Sequence, residues 1–224
     1  MSIRHFEEVI QGSADWHDQR RGMVTASVVG QLITAKTLKP AVNDNSRGLT
    51  ALLTAERITG YTEPTYSNDD MLRGTLDEPI ARDLYSKHYA LAREIGFTVR
   101  DDWGWNLGYS PDGLVGDDGL IEIKSRRAKK QLLTVLADEV PPENLAQLQC
   151  GLLVTGRKWI DYVSFCGGMP LYVKRVLPDP AWFEAIIAAV ALFEVNAAAM
   201  VTSYTQATQG LPATERTMEM EMML

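Results

Sequence analysis

Asp112, Glu122 and Lys124 are the residues best placed by type and spacing to do chemistry together. They stand in Ser110-Pro111-Asp112-Gly113 and Ile121-Glu122-Ile123-Lys124. A strand puts Glu122 and Lys124 on one face and turns Ile121 and Ile123 the other way, into the core. Gly116-Asp117-Asp118-Gly119 is a turn signal between two strands. The hairpin it closes can bring Asp112 beside Glu122, so that two carboxylates and one ammonium converge. Such a patch suits a hard divalent cation, Mg²⁺ with Mn²⁺ as its substitute, because Mg²⁺ takes oxygen ligands and few protein carboxylates. Asp112 and Glu122 would hold the ion, and the carbonyl of Ile123 could add a ligand. The matching reaction is phosphodiester hydrolysis, which needs a nucleophilic water and positive charge against the transferring phosphoryl group. Lys124 would orient or deprotonate that water, its pKa lowered by the cation. The same residues also fit a surface hairpin carrying a Glu122–Lys124 ion pair, since Asp-Gly is a common turn dipeptide.

Three flanking segments narrow the choice. They are Trp16-His17-Asp18-Gln19-Arg20-Arg21-Gly22-Met23-Val24-Thr25-Ala26-Ser27, Arg73-Gly74-Thr75-Leu76-Asp77-Glu78-Pro79-Ile80-Ala81-Arg82, and Ala146-Gln147-Leu148-Gln149. In order and spacing they resemble the W-H-x-x-R-x-G-x-x-T-A-S, G-x-x-x-E-x-x-A and A-Q-x-Q motifs of the YqaJ/lambda-exonuclease family, within the PD-(D/E)xK nuclease superfamily. The resemblance covers roughly residues 13 to 200. It implies an α/β fold with a restriction-endonuclease-like core, a central mixed β-sheet flanked by helices. It also implies an Mg²⁺-dependent, processive 5′→3′ exonuclease that degrades one strand of duplex DNA to 5′-mononucleotides for phage-type recombination. Asp112, Glu122 and Lys124 match the family's catalytic triplet. Glu78 would be the helix carboxylate that contacts the metal site, directly or through water, and Gln147 would sit near the scissile phosphate. Arg20, Ser27 and Ser110 match the pocket for a 5′-terminal phosphate, and Met71 falls near the apolar wedge that parts the end base pair. Further implied are a homotrimeric ring around DNA and a single-strand annealing protein as partner.

Bland roles stand beside these. Thr75 to Glu78 also fits a helix capping box. Trp16 reads as core or hairpin packing, Arg20 as a salt-bridge partner that Arg21 could replace, and Gln147 as an exposed helix residue. His17 is given no chemistry. Ser27 follows Thr25 in the first turn of a helix, where free N–H groups and the helix dipole favour an anion. Two other functions keep the motifs: a structure-specific or restriction-type endonuclease, and an inactive DNA-binding module.

The elements that must position these residues follow from periodicity and punctuation. Helices are expected over 13–22, 26–33, about 49–60, 73–89, 143–154 and 180 to about 201, with Thr25 as a cap and Gly22 and Gly60 as stops. Residues 34–48 and 61–70 read as loops. Strands are expected over 93–99, 107–115, 119–125, 159–166 and 170–176. Residues 1–205 form one exonuclease domain in this reading, and the polar, Met-rich residues 206–224 a tail or docking segment.

Composition bounds the setting. The 224 residues suit one globular domain, and the net charge of −7 argues against coating DNA with the whole surface. Local basic tracks remain at Arg20-Arg21 and across Arg126, Arg127, Lys129 and Lys130; in a ring they would line the channel. Cys150 and Cys166 lack metal spacing and read as reduced, packed thiols, and the three histidines make no zinc cluster. No uninterrupted run of 18 apolar residues and no apolar leader is present, so a cytoplasmic protein without a membrane is expected.

Overall fold

Local signals start most elements of this computed structural model, which describes residues 2–64 and 68–216. β1 (Ile3–Phe6) precedes α1 (Ala14–Arg20), capped by Ser13, whose hydroxyl accepts the Trp16 N–H. Past Gly22, which takes the left-handed φ of 64° that ends the turn, come β2 (Val24–Thr25) and α2 (Ala26–Val29). A 3-10 turn over Gly30–Leu32 completes what was expected as one helix. The expected loop from Thr34 to Gly48 is more ordered than that. β3 (Ile33–Thr34) pairs with β4 (Lys39–Pro40), and α3 (Asp44–Thr59) already begins at Asp44. The polar run that suggested a loop is a capping box: the Asn43 side chain accepts the Ser46 N–H, and Ser46 Oγ accepts the Asn43 N–H. α4 (Asp69–His88) starts four residues before the expected Arg73, and residues 65–67 of the expected loop lie outside the described residues.

β5 (Ala92–Arg93), β6 (Phe97–Arg100), β7 (Leu107–Tyr109), β8 (Gly113–Val115) and β9 (Gly119–Ser125) follow. Next comes α5 (Ala128–Ala137), a helix absent from the sequence expectation, whose start carries the second basic track. α6 (Pro142–Thr155), β10 (Trp159–Phe165), β11 (Tyr172–Val176) and α7 (Pro180–Ala207) complete the chain. α7 outruns its expected end near Val201. Of the expected tail, residues 217–224 lie outside the described residues.

The main correction concerns 107–115, expected as one strand. It breaks at Ser110-Pro111-Asp112, where Pro111 has no N–H to give a ladder. Its halves join different sheets. β7 belongs to a four-stranded sheet ordered β1-β6-β7-β2, and β8 to a five-stranded sheet ordered β11-β10-β9-β8-β5. The chain thus crosses a seam between sheets over three residues. β9 is central in the larger sheet, antiparallel to β8 and parallel to β10, which makes that sheet mixed as expected.

Both faces of β9 are covered. On one, Ile121, Ile123 and Val163 pack with Ala81 and Tyr85 of α4. On the other, Leu120, Ile160 and Tyr162 belong to a core shared with Leu148 and Leu152 of α6 and Ile186 and Phe193 of α7. Full burial of one such side chain contributes about 1.5–3 kcal/mol. α7 has the length and mean hydropathy of a membrane span. Glu184 and Glu194 interrupt it, and Trp182, Ile186, Val190, Phe193 and Ala197 are buried in the protein core.

Candidate active site

The β8–β9 register pairs Gly113 with Ile121, and its continuation sets Asp112 opposite Glu122. Asp112 lies one residue before β8, past the end of the ladder. Its Oδ2 accepts the Ile123 N–H at 2.6 Å, replacing the strand partner that β8 no longer supplies. In a strand, the N–H and C=O of one residue point to the same edge. The Ile123 carbonyl therefore faces the gap that Asp112 occupies.

Glu122 is 2% exposed and held by three groups. Lys124 Nζ donates to its Oε1 at 2.8 Å, and Gln147 Nε2 donates to the same oxygen at 2.5 Å. Tyr109 OH donates to Oε2 at 2.8 Å. Lys124 also donates to Gln147 Oε1 at 2.9 Å, which closes a ring of contacts between β9 and α6. The fully exposed-residue role for Gln147 does not hold. Glu78 approaches from α4 and is bound by Arg82, one helical turn on. Arg82 also donates to the Asp112 carbonyl at 2.6 Å and to Glu94 at 2.6 Å, so it ties α4 to the seam. Glu78 is therefore no mere capping residue: α4 begins at Asp69, with Asn68 as its cap, and Glu78 lies inside it.

Charge inside this patch is out of balance. Burial pushes the Asp112 carboxyl well above its usual range, and Glu122 and Glu78 push the same way, against Lys124 and the Ile123 N–H. Glu78 is raised by burial first; Arg82 opposes this, while Glu122 and Glu94 reinforce it. For Lys124, burial works against the ammonium, but Glu122 and Asp112 outweigh it and the pKa rises. Tyr109 is also pushed up, by burial and then by Glu122 and Asp112. Excess negative charge on hard oxygens is what a divalent cation relieves. Among the described residues, no three His, Cys, Asp or Glu side chains are arranged to hold an ion between them. The donors that fit are the Asp112 and Glu122 carboxylates and the Ile123 carbonyl, a set sparse enough for Mg²⁺, which keeps several waters. Arg82 binds only Oε1 of Glu78, which leaves Oε2 for a cation, directly or through water.

A second cluster lies on the other side of the seam. Arg20 Nη2 is 3.3 Å from Thr25 Oγ1 and 3.2 Å from Ser27 Oγ. The Arg20 guanidinium stacks on the Trp16 ring at 3.8 Å, and Trp16 Nε1 donates to Ser110 Oγ at 2.8 Å. Trp16 is therefore the brace that joins Arg20 to Ser110, not plain packing. Burial pulls the Arg20 guanidinium down to about 10, with Glu56 pulling the other way. Arg21 pairs with Asp18, so Arg20 is the arginine that faces Thr25 and Ser27, with Ser110 joined to it through Trp16. The helix-dipole argument for Ser27 falls away: α2 has four residues and the Thr25 side chain does not cap it.

Gly22, between these arginines and β2, is clamped from α3. Its N–H donates to Glu56 Oε2 at 2.7 Å, and Arg57 Nε donates to its carbonyl at 2.6 Å. Arg57 in turn makes a two-pronged contact with Glu194 of α7, at 2.6 and 2.7 Å. Ser110 and Asp112 are two residues apart, at most about 7 Å of chain, so the two clusters adjoin. Met71 stands apart in the first turn of α4, half exposed and seven residues before Glu78, about 10 Å along the helix.

Sequence reasoning missed Tyr109, Arg82, Glu56 and Arg57. Two of them left a trace. Glu56 continues the buried Leu49 and Leu53 stripe of α3 at helical spacing, an acid on a core face. Tyr109 shares its strand face with Leu107, and a buried phenol requires a partner.

Residues 15–158 match the YqaJ-like viral recombinase domain. The chain is 31% identical to an alkaline exonuclease (LHK-Exo) from Laribacter hongkongensis, with a TM-score of 0.79 over 89% of this chain and 100% of that one. The structure of LHK-Exo in complex with dAMP gives a TM-score of 0.80 at the same identity and coverage. A phage related exonuclease from Haemophilus somnus 129PT is 11% identical and shares the fold, with a TM-score of 0.63 over 81% of this chain and 96% of that one. A search of curated proteins finds no match. These likenesses agree with the restriction-endonuclease-like core expected from the motifs. The domain match spans well over half of the chain and takes in both sides of the seam, and on that ground this chain belongs to the YqaJ-like viral recombinase domain family.

Proposed function

We propose that the chain is a divalent-metal-dependent DNA exonuclease that removes 5′-mononucleotides from one strand of duplex ends, 5′→3′ and processively. The observation that carries this reading is the adjacency of the Arg20–Ser27–Ser110 cluster to the Asp112–Glu122–Lys124 patch across Pro111. A guanidinium and two hydroxyls are phosphate binders. Anchoring a terminal phosphate one short step from the reacting one sets the cut at one nucleotide from the end. The 31% identity to an alkaline exonuclease supports the same reaction class.

Mg²⁺, or Mn²⁺ in its place, would be held by Asp112, Glu122 and the Ile123 carbonyl. When bound, the ion supplies positive charge against the scissile phosphate and its departing oxygen. The chain's own groups do the rest. Gln147 and Lys124 fix the Glu122 carboxylate, and the Lys124 ammonium can orient an attacking water through its N–H. Taking a proton from that water requires the neutral amine, which Glu122 and Asp112 oppose until their own charge is offset. Arg20 and its serines hold the 5′ end, and Met71, with exposed Leu72 beside it, is suited to wedge the terminal pair apart. A homotrimeric ring, a single-strand annealing partner and a cytoplasmic site of action in a bacterial host complete the proposal, on the strength of the family.

The deciding experiment is digestion of linear duplex labelled separately at each 5′ end and each 3′ end, with and without Mg²⁺, beside a covalently closed circle. Release of mononucleotides from the 5′ ends only, dependent on Mg²⁺, with the circle intact, is expected. Nicking of the circle makes the chain an endonuclease. Absence of cleavage with any divalent ion leaves a DNA-binding module.

A further inference from the structure

Tyr109 is buried at the end of β7, in the sheet that does not contain Glu122. Its hydroxyl crosses the seam to Glu122 Oε2 at 2.8 Å, while Lys124 and Gln147 both bind Oε1. Tyr109 is thus the contact that fixes the second oxygen, and hence the plane of the carboxylate. The ring reaches this position because α6 leaves room for it. A Cβ on Gly151 would stand 2.8 Å from both Cε1 and Cζ of the Tyr109 ring. Glycine inside a helix costs about 1 kcal/mol relative to alanine, and Gly151 lies well inside α6, four residues after Gln147. One helical turn therefore delivers Gln147 to Oε1 of Glu122 and clears the space through which Tyr109 reaches Oε2.

We infer that Tyr109, seated against Gly151, is a positioning residue that sets the orientation of the Glu122 carboxylate toward a divalent cation. This rests on the nuclease reading above. Hydrogen bonds to a metal-ligating carboxylate are commonly worth about 10–100-fold in metal affinity. The phenol also differs from a merely structural core tyrosine, because its polar end meets the carboxylate and no other polar partner is needed to explain its burial.

The test is Mn²⁺ binding to the purified full chain without DNA, read by electron paramagnetic resonance of the free ion. Wild type, Tyr109→Phe, Gly151→Ala and Glu122→Gln are compared, each first checked by circular dichroism for a native spectrum. Gly151→Ala keeps the hydroxyl and shifts the ring, so it reaches the same question if Tyr109→Phe does not fold. Tyr109→Phe and Gly151→Ala are expected to weaken Mn²⁺ binding about tenfold or more, and Glu122→Gln to weaken it further. In nuclease assays the Mg²⁺ concentration for half-maximal rate should rise by a similar factor, with the KM for DNA ends unchanged. Wild-type affinity in either folded variant, with Glu122→Gln impaired, overturns the role of Tyr109 alone. So does a change confined to the KM for DNA. Failure of the wild type to bind Mn²⁺ overturns the metal reading and this inference with it.

Discussion

Lys124 carries a proton that the folded protein holds tightly, because Glu122 and Asp112 together outweigh its burial. Removing that ammonium leaves Glu122 with Gln147 and Tyr109 alone. Lys124→Ala should therefore lower single-turnover cleavage by roughly 10²–10³-fold, the usual scale for a group that stabilises charge in the transition state, with the circular dichroism spectrum preserved. Near-normal turnover would remove Lys124 from the chemistry. Arg20 and Arg21 make a sharper contrast, since they are neighbours in sequence with different partners. Arg20→Ala should erase about 10-fold or more of the preference for 5′-phosphorylated over 5′-hydroxyl ends, given about 1.5–3 kcal/mol for hydrogen bonds to a charged group. Arg21→Ala should leave that preference in place, because Arg21 pairs with Asp18. Rate measurements on the two end types decide both. The sequence left the choice between these arginines open, since adjacency in a short helix fixes their directions only once Trp16 and Asp18 have been placed.

Elements read well where one signal sufficed. α6 and β9 stand within two residues of expectation, because a long apolar stripe and an alternating strand are local properties. The hairpin that sets Asp112 opposite Glu122 was legible for the same reason. Reading failed where tertiary structure decides. The break at Pro111 follows from two sheets competing for one run of residues, which no window of sequence contains. α5 was hidden by its basic start, which reads as a solvated track, although Gln131 is buried and hydrogen-bonded to Ser164. Asn43 and Ser46, which cap α3 reciprocally, lie in a polar run that likewise imitates a loop. At this scale Gly22 is the vulnerable point. It has φ of 64°, and a Cβ there would lie 2.4 Å from Arg57 Cγ. Gly22→Ala should cost about 2 kcal/mol from backbone strain and crowding. For a chain of this size that lowers the melting temperature by roughly 4–8 °C, as calorimetry would read it. An unchanged melting temperature would mean that the Arg57 clamp yields freely.

For the whole molecule, net charge of −7 and a DNA substrate conflict unless positive charge is gathered in one place. The proposed ring would resolve that conflict by enclosing the duplex. Light scattering on the purified protein should give three times the 24.9 kDa of one chain, and a monomer mass would dismiss the ring and, with it, this account of processivity. The clamp on Gly22 has a temporal consequence. Gly22 is held by Glu56 and Arg57, and Arg57 is held by Glu194, 137 positions further along. Contacts so distant in sequence close late, since their loops must first be ordered. A ribosome-bound chain that has already made the acidic hairpin still lacks α7, and so lacks the Glu194 that braces Arg57 against Gly22. In the proposed nuclease, full support for the Arg20 cluster would therefore arrive only once α7 has been made.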